Sequence, residues 1–286
     1  MRACYIPPMS FQDSEDAMST DLERLTPALL ALARRAGAAI LEVYRQPLEV
    51  ITKADASPLT MADLRSHQII TTGLTELTAA IPILSEESSA VPFATRTSWP
   101  RYWLVDPLDG TKEFLKRNGE FTVNIALIEQ HDPVLGVVYV PAQGVIYWGG
   151  KSFGAYRQFD GGAIEPIHVQ ARAASPLRVV GSRSHGSDEL GSALQRLGAH
   201  ELVPLGSSLK FCSIAEGRAD VYPRFGPTSE WDTAAAQAVV EGAGGRVLDM
   251  QGQPLRYNTK DSLLNPYFVA FGDATRDWIA PLFQAH

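Results

Sequence analysis

At 286 residues the chain has room for one large domain or two smaller ones packed together. A net charge of −7 leaves no broad basic footprint for a nucleic-acid polymer, and no apolar run reaches the length of a membrane span. The two cysteines, Cys4 and Cys212, form no disulfide framework, which points to a reducing cytoplasmic setting; the six histidines show no zinc spacing.

Residues 1–18 carry Pro7-Pro8, lack the apolar core of a signal peptide and read as a disordered extension, with Met18 an alternative start. Leu25, Leu29, Leu32, Ala36, Ile40 and Val43 then recur at helical steps, predicting a long amphipathic helix that ends near Tyr44. A polar loop, Lys53 to Pro58, leads to Thr60-Met61-Ala62-Asp63, which has the spacing of a capping box. Asp63 thus has two readings, a cap or a member of a metal site. A short apolar strand, Ile81 to Leu84, stops at Ser85-Glu86-Glu87.

A second apolar run, Trp103 to Val105, stops at Asp106-Pro107-Leu108-Asp109-Gly110-Thr111. Asp-Pro and Asp-Gly are common turn dipeptides. The alternative is that two hard carboxylates and several backbone amides meet at one sheet edge. Carboxylate oxygens suit Mg²⁺, Mn²⁺ or Ca²⁺, and amides at a following helical turn suit a phosphate. Metal and phosphate at one place is a phosphoryl-transfer reading.

Beyond a charged turn at Lys112 to Arg117, alternating residues from Phe121 to Leu127 and further runs to Val169 predict an antiparallel meander. The pattern changes near Ala171. Strands at 177–180, 201–204 and 219–223 alternate with helices at 188–197 and 208–216, as in an α/β unit. Glu230-Trp231-Asp232 opens an alanine-rich helix, where Asp232 is by default a cap. Strands near 246–248 and 267–271 and a last helix over Thr275 to Gln284 finish the chain. The expected division is an α+β half over 19–172, with the antiparallel sheet and the first metal-binding residues, and an α/β half over 173–286 that completes the site.

Four separated pieces, Thr60 to Asp63, Ser85-Glu86-Glu87, Asp106 to Thr111 and Trp231-Asp232-Thr233-Ala234-Ala235, together resemble the inositol monophosphatase superfamily of Mg²⁺-dependent, lithium-sensitive phosphatases. Lys112-Glu113-Phe114, Arg117 to Asn124, Ser182 to His185, Gly206 to Cys212 and Tyr222 to Pro227 are similar to its CysQ-like branch, the 3′(2′),5′-bisphosphate nucleotidases of sulfur metabolism. The resemblance covers the chain from about residue 20.

It implies a layered αβαβα sugar-phosphatase fold. It implies two or three Mg²⁺ ions, or Mn²⁺, on the carboxylates of Glu86, Asp106, Asp109 and Asp232 and the carbonyl of Leu108. Thr111, supported by Asp63, would orient the attacking water, and Glu86 would also lie beside that water. Gly110 and Thr111 amides would hold the scissile phosphate of a substrate that also lies against Glu86, Leu108, Asp109 and Asp232. His185, Ser207, Lys210 and Arg224 match positions that contact the nucleotide. The implied reaction takes adenosine 3′,5′-bisphosphate to AMP and phosphate, with 3′-phosphoadenosine 5′-phosphosulfate a second substrate. The implied partner is a small nucleotide bisphosphate, and the protein a cytoplasmic monomer or homodimer, with peripheral membrane attachment left open. Three alternatives stand beside this: an inositol monophosphatase, a fructose-1,6-bisphosphatase of the same fold, and a non-catalytic nucleotide- or metal-binding protein.

Overall fold

The computed structural model describes residues 11–47, 50–52, 58–88, 90–181 and 188–283. In chain order the elements are α1 (Phe11–Tyr44), β1 (Val50–Thr52), β2 (Pro58–Thr60), α2 (Met61–Leu77), β3 (Ile83–Ser85), α3 (Phe93–Arg96), β4 (Arg101–Asp109) and α4 (Thr111–Leu115). The meander follows as β5 (Thr122–Glu129), β6 (Asp132–Val140), β7 (Val145–Gly150), β8 (Gly154–Phe159) and β9 (Ile164–Pro166). Then come β10 (Leu177–Gly181), α5 (Asp188–Leu197), β11 (His200–Pro204), α6 (Leu209–Ala215), β12 (Val221–Arg224), α7 (Glu230–Gly242), β13 (Arg246–Asp249), β14 (Phe268–Phe271) and α8 (Ile279–Phe283).

Two sheets organise the molecule. One has seven strands in the order β3-β4-β5-β6-β7-β8-β9, antiparallel except for the parallel pair β3 and β4. The other has five, in the order β11-β10-β12-β14-β13, parallel across β11-β10-β12 and antiparallel beyond. Strand alternation decides what each face meets. Trp103 and Val105 of β4, with Val123, Ile125 and Leu127 of β5, pack on α1 and α2. Their neighbours Tyr102, Leu104 and Ala126 face the other way, onto α6 and α7. The far side of α6 and α7 meets Tyr222, Phe268 and Ala270 of the second sheet. The outer face of that sheet, Val179, Val221, Val269 and Phe271, is covered by Leu194 and Leu197 of α5 and by Trp278 and Leu282 at α8. The layers are therefore helix, sheet, helix, sheet, helix, as the resemblance implied.

The middle layer is thin because α7 is built from small residues. Ala234, Ala235 and Ala236 are all buried, and Gly136 of β6 lies directly against the backbone of Ala235. This close seating brings the N-terminus of α7 to the ends of β4 and β5.

Three sequence expectations differ from what is observed. Helix α1 begins at Phe11, inside the segment read as an extension. Strand β4 does not end at Val105 but keeps its pairing with β5 to Asp109. The last helix starts at Ile279, not Thr275, because Asp273 takes Thr275 into a turn by accepting from its N and Oγ1, and Asp277 then starts the helix by accepting from the amides of Ile279 and Ala280; its expected end at Gln284 lies outside the described residues. Among the described residues no helix is long and apolar enough to cross a membrane.

Candidate active site

Residues three apart on a regular strand face opposite sides of the sheet. Asp106 and Asp109 avoid this through a bulge. Asp106 pairs with Asn124, but Asp109 pairs with Thr122, so β4 carries one extra residue over that step. The bulge is braced locally. The amide of Leu108 donates to Asp106 Oδ1 at 3.0 Å, and Ser66 Oγ of α2 donates to the carbonyl of Pro107 at 2.7 Å. Both carboxylates consequently reach the same side.

Asp109 Oδ2 is held by neutral donors. Ser207 Oγ donates at 2.7 Å and Ser208 Oγ at 3.1 Å, with Thr122 Oγ1 and Asn124 Nδ2 at 3.4 and 3.5 Å. The next residue, Gly110, sits at φ +88°, and a Cβ there would lie 3.1 Å from Ser207 Cβ and 3.2 Å from the carbonyl of Glu120. Only glycine makes that turn into α4 without strain.

Asp232 arrives on the first turn of α7. Its carboxylate accepts the amide of Ser229 at 2.9 Å, closing a capping box. The turn is anchored from outside: Glu230 accepts the amide of Asn258 at 2.8 Å, and Asn265 Nδ2 donates to the carbonyl of Ser229 at 2.9 Å. Glu86 follows the end of β3, its amide donating to the carbonyl of Val105 on β4. Its side chain hydrogen-bonds Asp106.

Carboxylate oxygens of Asp106, Asp109 and Asp232 all lie within 4.8 Å of one another. Burial raises Asp106 well above the usual carboxylate range, and the charges of Glu86, Asp109 and Asp232 add to it. Burial likewise lifts Asp232 to about 8, with Asp109 and Glu86 contributing. Like charges gathered this closely need a counter-charge. The donors around Asp109 are hydroxyls and an amide, and among the described residues no arginine bonds to the cluster. An all-oxygen, strongly anionic donor set fits hard divalent cations such as Mg²⁺ or Mn²⁺.

A pH dependence follows. With folded-state values raised, the metal-free folded protein binds protons that the unfolded chain releases above about pH 4, so this cluster's contribution to stability falls as pH rises from about 4 to 8. A bound cation removes that penalty by favouring the ionised forms. The stabilisation given by Mg²⁺ over chelator in urea unfolding is expected to be larger at about pH 7.5 than at about pH 5.5. Equal stabilisation at both values would contradict the arrangement.

An open cleft of about 150 Å³ adjoins the cluster, lined among others by Asp109, Gly110, Glu113, Ser207, Lys210 and Arg224. Lys210 is buried, and its Nζ donates to the carbonyl of Ser207 at 2.6 Å. Burial lowers its pKa to about 8 against the opposing pull of Asp109. Arg224 is fixed by Thr228 Oγ1, which accepts from Nε at 2.7 Å, and by the carbonyl of Pro227, which accepts from its Nη2 at 3.0 Å.

Of the sequence-derived residues, Glu86, Asp106, Asp109 and Asp232 come together in the cluster, and Gly110, Ser207, Lys210 and Arg224 line its cleft; Leu108 and Thr111 flank Asp109-Gly110 in the chain. Asp63 completes the capping box of α2, whose N-cap is Thr60: its Oδ2 accepts from Thr60 N at 2.7 Å and Thr60 Oγ1 at 2.6 Å. No hydrogen bond joins Asp63 to Thr111 among the described residues, so direct support of Thr111 is not what the structure shows. His185 and the Lys53 loop lie outside the described residues. Sequence reasoning missed Thr122, Asn124 and Ser208 as the cradle of Asp109. Polar residues at alternate positions of an otherwise apolar strand were the available signal for the first two.

Comparison with known proteins places this architecture. A family model described as the inositol monophosphatase family matches residues 21–286. Over 239 residues the chain is 53% identical to an Escherichia coli (strain K12) protein named 3′(2′),5′-bisphosphate nucleotidase CysQ, covering 83% of this chain and 95% of that one. A protein of the same name from Buchnera aphidicola is 43% identical over 261 residues, 89% of this chain and 96% of its own. The crystal structure of CysQ from Bacteroides thetaiotaomicron superposes with a TM-score of 0.76 at 43% identity, over 87% of this chain and 97% of that one. SuhB from Bartonella henselae, 24% identical, shares the fold with a TM-score of 0.76. The chain belongs to the inositol monophosphatase family.

Proposed function

We propose that the chain is a Mg²⁺-dependent phosphatase that converts adenosine 3′,5′-bisphosphate to AMP and phosphate and acts on related nucleotide bisphosphates. The observation that carries it is the junction of the Asp106, Asp109 and Asp232 cluster with a cleft holding two cations, Lys210 and Arg224. A monophosphate has no use for the second pair of charges. The names of the relatives at 53% and 43% identity support the same substrate class.

Glu86, Asp106, Asp109, Asp232 and the carbonyl of Leu108 are the proposed holders of the ions. When bound, such ions neutralise the phosphate dianion and lower the pKa of a coordinated water. The chain's own residues do the rest. The hydroxyl of Thr111 orients the attacking water, with Glu86 also beside that water. The amides of Gly110 and Thr111 hold the scissile phosphate in place. Asp63 acts at one remove, as a positioning residue: it fixes Thr60 at the end of β2, against which α4 packs. Lys210 and Arg224 take the phosphate that is not cleaved, the guanidinium through its paired N–H groups. A phosphate dianion beside Lys210 favours its charged form, which burial alone disfavours. His185 is assigned to the nucleotide through the resemblance, and the enzyme to the cytoplasm.

Phosphate release from adenosine 3′,5′-bisphosphate, inositol 1-phosphate and fructose 1,6-bisphosphate, with Mg²⁺ and then with Li⁺ added, tests the reading. Fast, Li⁺-sensitive release from the nucleotide is the expected result. Preference for either of the others would keep the metal cluster and overturn the substrate. Arg224→Ala is expected to lower kcat/KM for the bisphosphate by roughly 10- to 100-fold, and for adenosine 3′-monophosphate far less, since one charge-assisted contact contributes about 1.5–3 kcal/mol. Equal losses on the two substrates would remove the second-phosphate role.

A further inference from the structure

Glu113 is a carboxylate in a place where a phosphatase has little reason to keep one. It lies on α4 and is nine-tenths buried, yet it lines the cleft together with Gly110, Lys210 and Arg224. The fold makes room for it. A Cβ on Gly206 would come within 2.6 Å of Glu113 Cγ, so the stem of the side chain lies across that glycine. Gly206 is itself held, its amide donating to Glu120 Oε2 at 2.8 Å. The stem leads the carboxylate back to Gly110, where Oε2 would stand 3.6 Å from a Cβ. No described residue donates a hydrogen bond to that carboxylate. Lys210, a cation whose charge it feels, donates its Nζ to the carbonyl of Ser207.

The carboxylate oxygens open on the cleft, so the cost arises when a substrate fills it: the acceptor then loses its water and gains a second anion beside it. Gly110 is also where the scissile phosphate is proposed to sit. The two anions are compatible if a proton donor stands between them. In a nucleoside 3′,5′-bisphosphate the atom in that place is the hydroxyl on the neighbouring ribose carbon. The 2′,5′ isomer offers the 3′-hydroxyl in the same relation, so both phosphate positions in the relatives' printed name carry such a neighbour.

We propose that Glu113 is a specificity-determining residue that accepts a hydrogen bond from the hydroxyl vicinal to the scissile phosphate, the ribose 2′-hydroxyl of adenosine 3′,5′-bisphosphate. This rests on the substrate reading above. It separates ribonucleotides from their 2′-deoxy counterparts, because the deoxy analogue leaves Glu113 unpaired beside a phosphate.

The test is kcat/KM for adenosine 3′,5′-bisphosphate and for 2′-deoxyadenosine 3′,5′-bisphosphate with saturating Mg²⁺, in the wild type, Glu113→Gln and Glu113→Ala. Wild type is expected to prefer the ribonucleotide by at least about 10-fold. Glu113→Gln keeps an acceptor and should keep a preference of the same sign. Glu113→Ala should bring the ratio close to one, mainly by losing rate on the ribonucleotide. Because the ratio compares two substrates on one protein sample, partial loss of folded enzyme does not alter it. A wild-type ratio near one, or a ratio unchanged in Glu113→Ala, overturns the assignment; the second result would leave Glu113 a partner of Lys210 only. Wild type that cleaves neither nucleotide overturns the substrate reading and this assignment together.

Discussion

Asp109→Asn is expected to lower phosphate release by at least about 10³-fold while leaving the metal-free fold no less stable than wild type. The two halves of this outcome come from different atoms. On one side Asp109 meets only donors: Ser207, Ser208, Thr122 and Asn124 all reach Oδ2. An asparagine carbonyl oxygen accepts from the same groups, so the cradle survives. With that oxygen kept in the cradle, the second carboxylate position, in a side chain clustered with Asp106 and Asp232, becomes an NH₂ group. That group cannot ligate a cation and turns its positive end toward one. It also removes one of the charges that crowd Asp106 and Asp232, which is why chelated protein should not lose stability. Thermal unfolding in chelator and in Mg²⁺, together with phosphate release, reads both halves. Wild-type turnover in the variant would mean the cluster does not hold the catalytic ion. A collapse of metal-free stability would mean Asp109 is instead a structural anion.

Local chemistry made much of this site legible before any coordinates. The capping box of Thr60 with Asp63 is a statement about three-residue spacing, and the reading of Asp232 as a cap one about its place in the first turn; each is made by contacts within one turn. Helix α5 starts and stops where its periodicity does. What stayed hidden depends on partners far away in the chain. The bulge at Asp106 to Asp109 exists because β5 continues to pair with it, and Ser66, forty-one residues earlier, ties down Pro107. The Asp109 cradle joins β5 to the segment before α6, across eighty-five residues for Thr122 and Ser207. Glu113 read as part of a charged turn because α4 is five residues long and the glycine its stem lies across, Gly206, comes far later in the chain. Asp63 shows the opposite failure. Its two readings were a cap and a site residue, and its visible contacts are those of the cap. A role in catalysis has to pass through Thr60, β2 and α4, which no spacing rule encodes.

The position of Asp232 depends on how closely α7 approaches the first sheet, and one methyl group should show it. A Cβ at Gly136 would lie 2.0 Å from the carbonyl oxygen of Ala235, 2.7 Å from its carbonyl carbon and 2.9 Å from its Cα. These are backbone atoms of a helix buried between two sheets, so no rotamer change relieves the overlap. Gly136→Ala must push α7 away from β6. Asp232 is one turn before Ala235 and moves with it, out of reach of Asp106 and Asp109. The expected destabilisation is about 3 kcal/mol or more, a fall in Tm of roughly 6–12 °C for a chain of this size. The gain in Tm given by Mg²⁺ should shrink in the same variant, because the ligand set is no longer assembled. Gly191→Ala is the control. It lies in α5 with nothing within 4 Å of its Cβ position, and replacing a helical glycine there should stabilise by up to about 1 kcal/mol. If Gly136→Ala melts within a degree or two of wild type and keeps its response to Mg²⁺, the thin middle layer is not what sets the metal cluster, and the anchoring of α7 by Asn258 and Asn265 must set it instead.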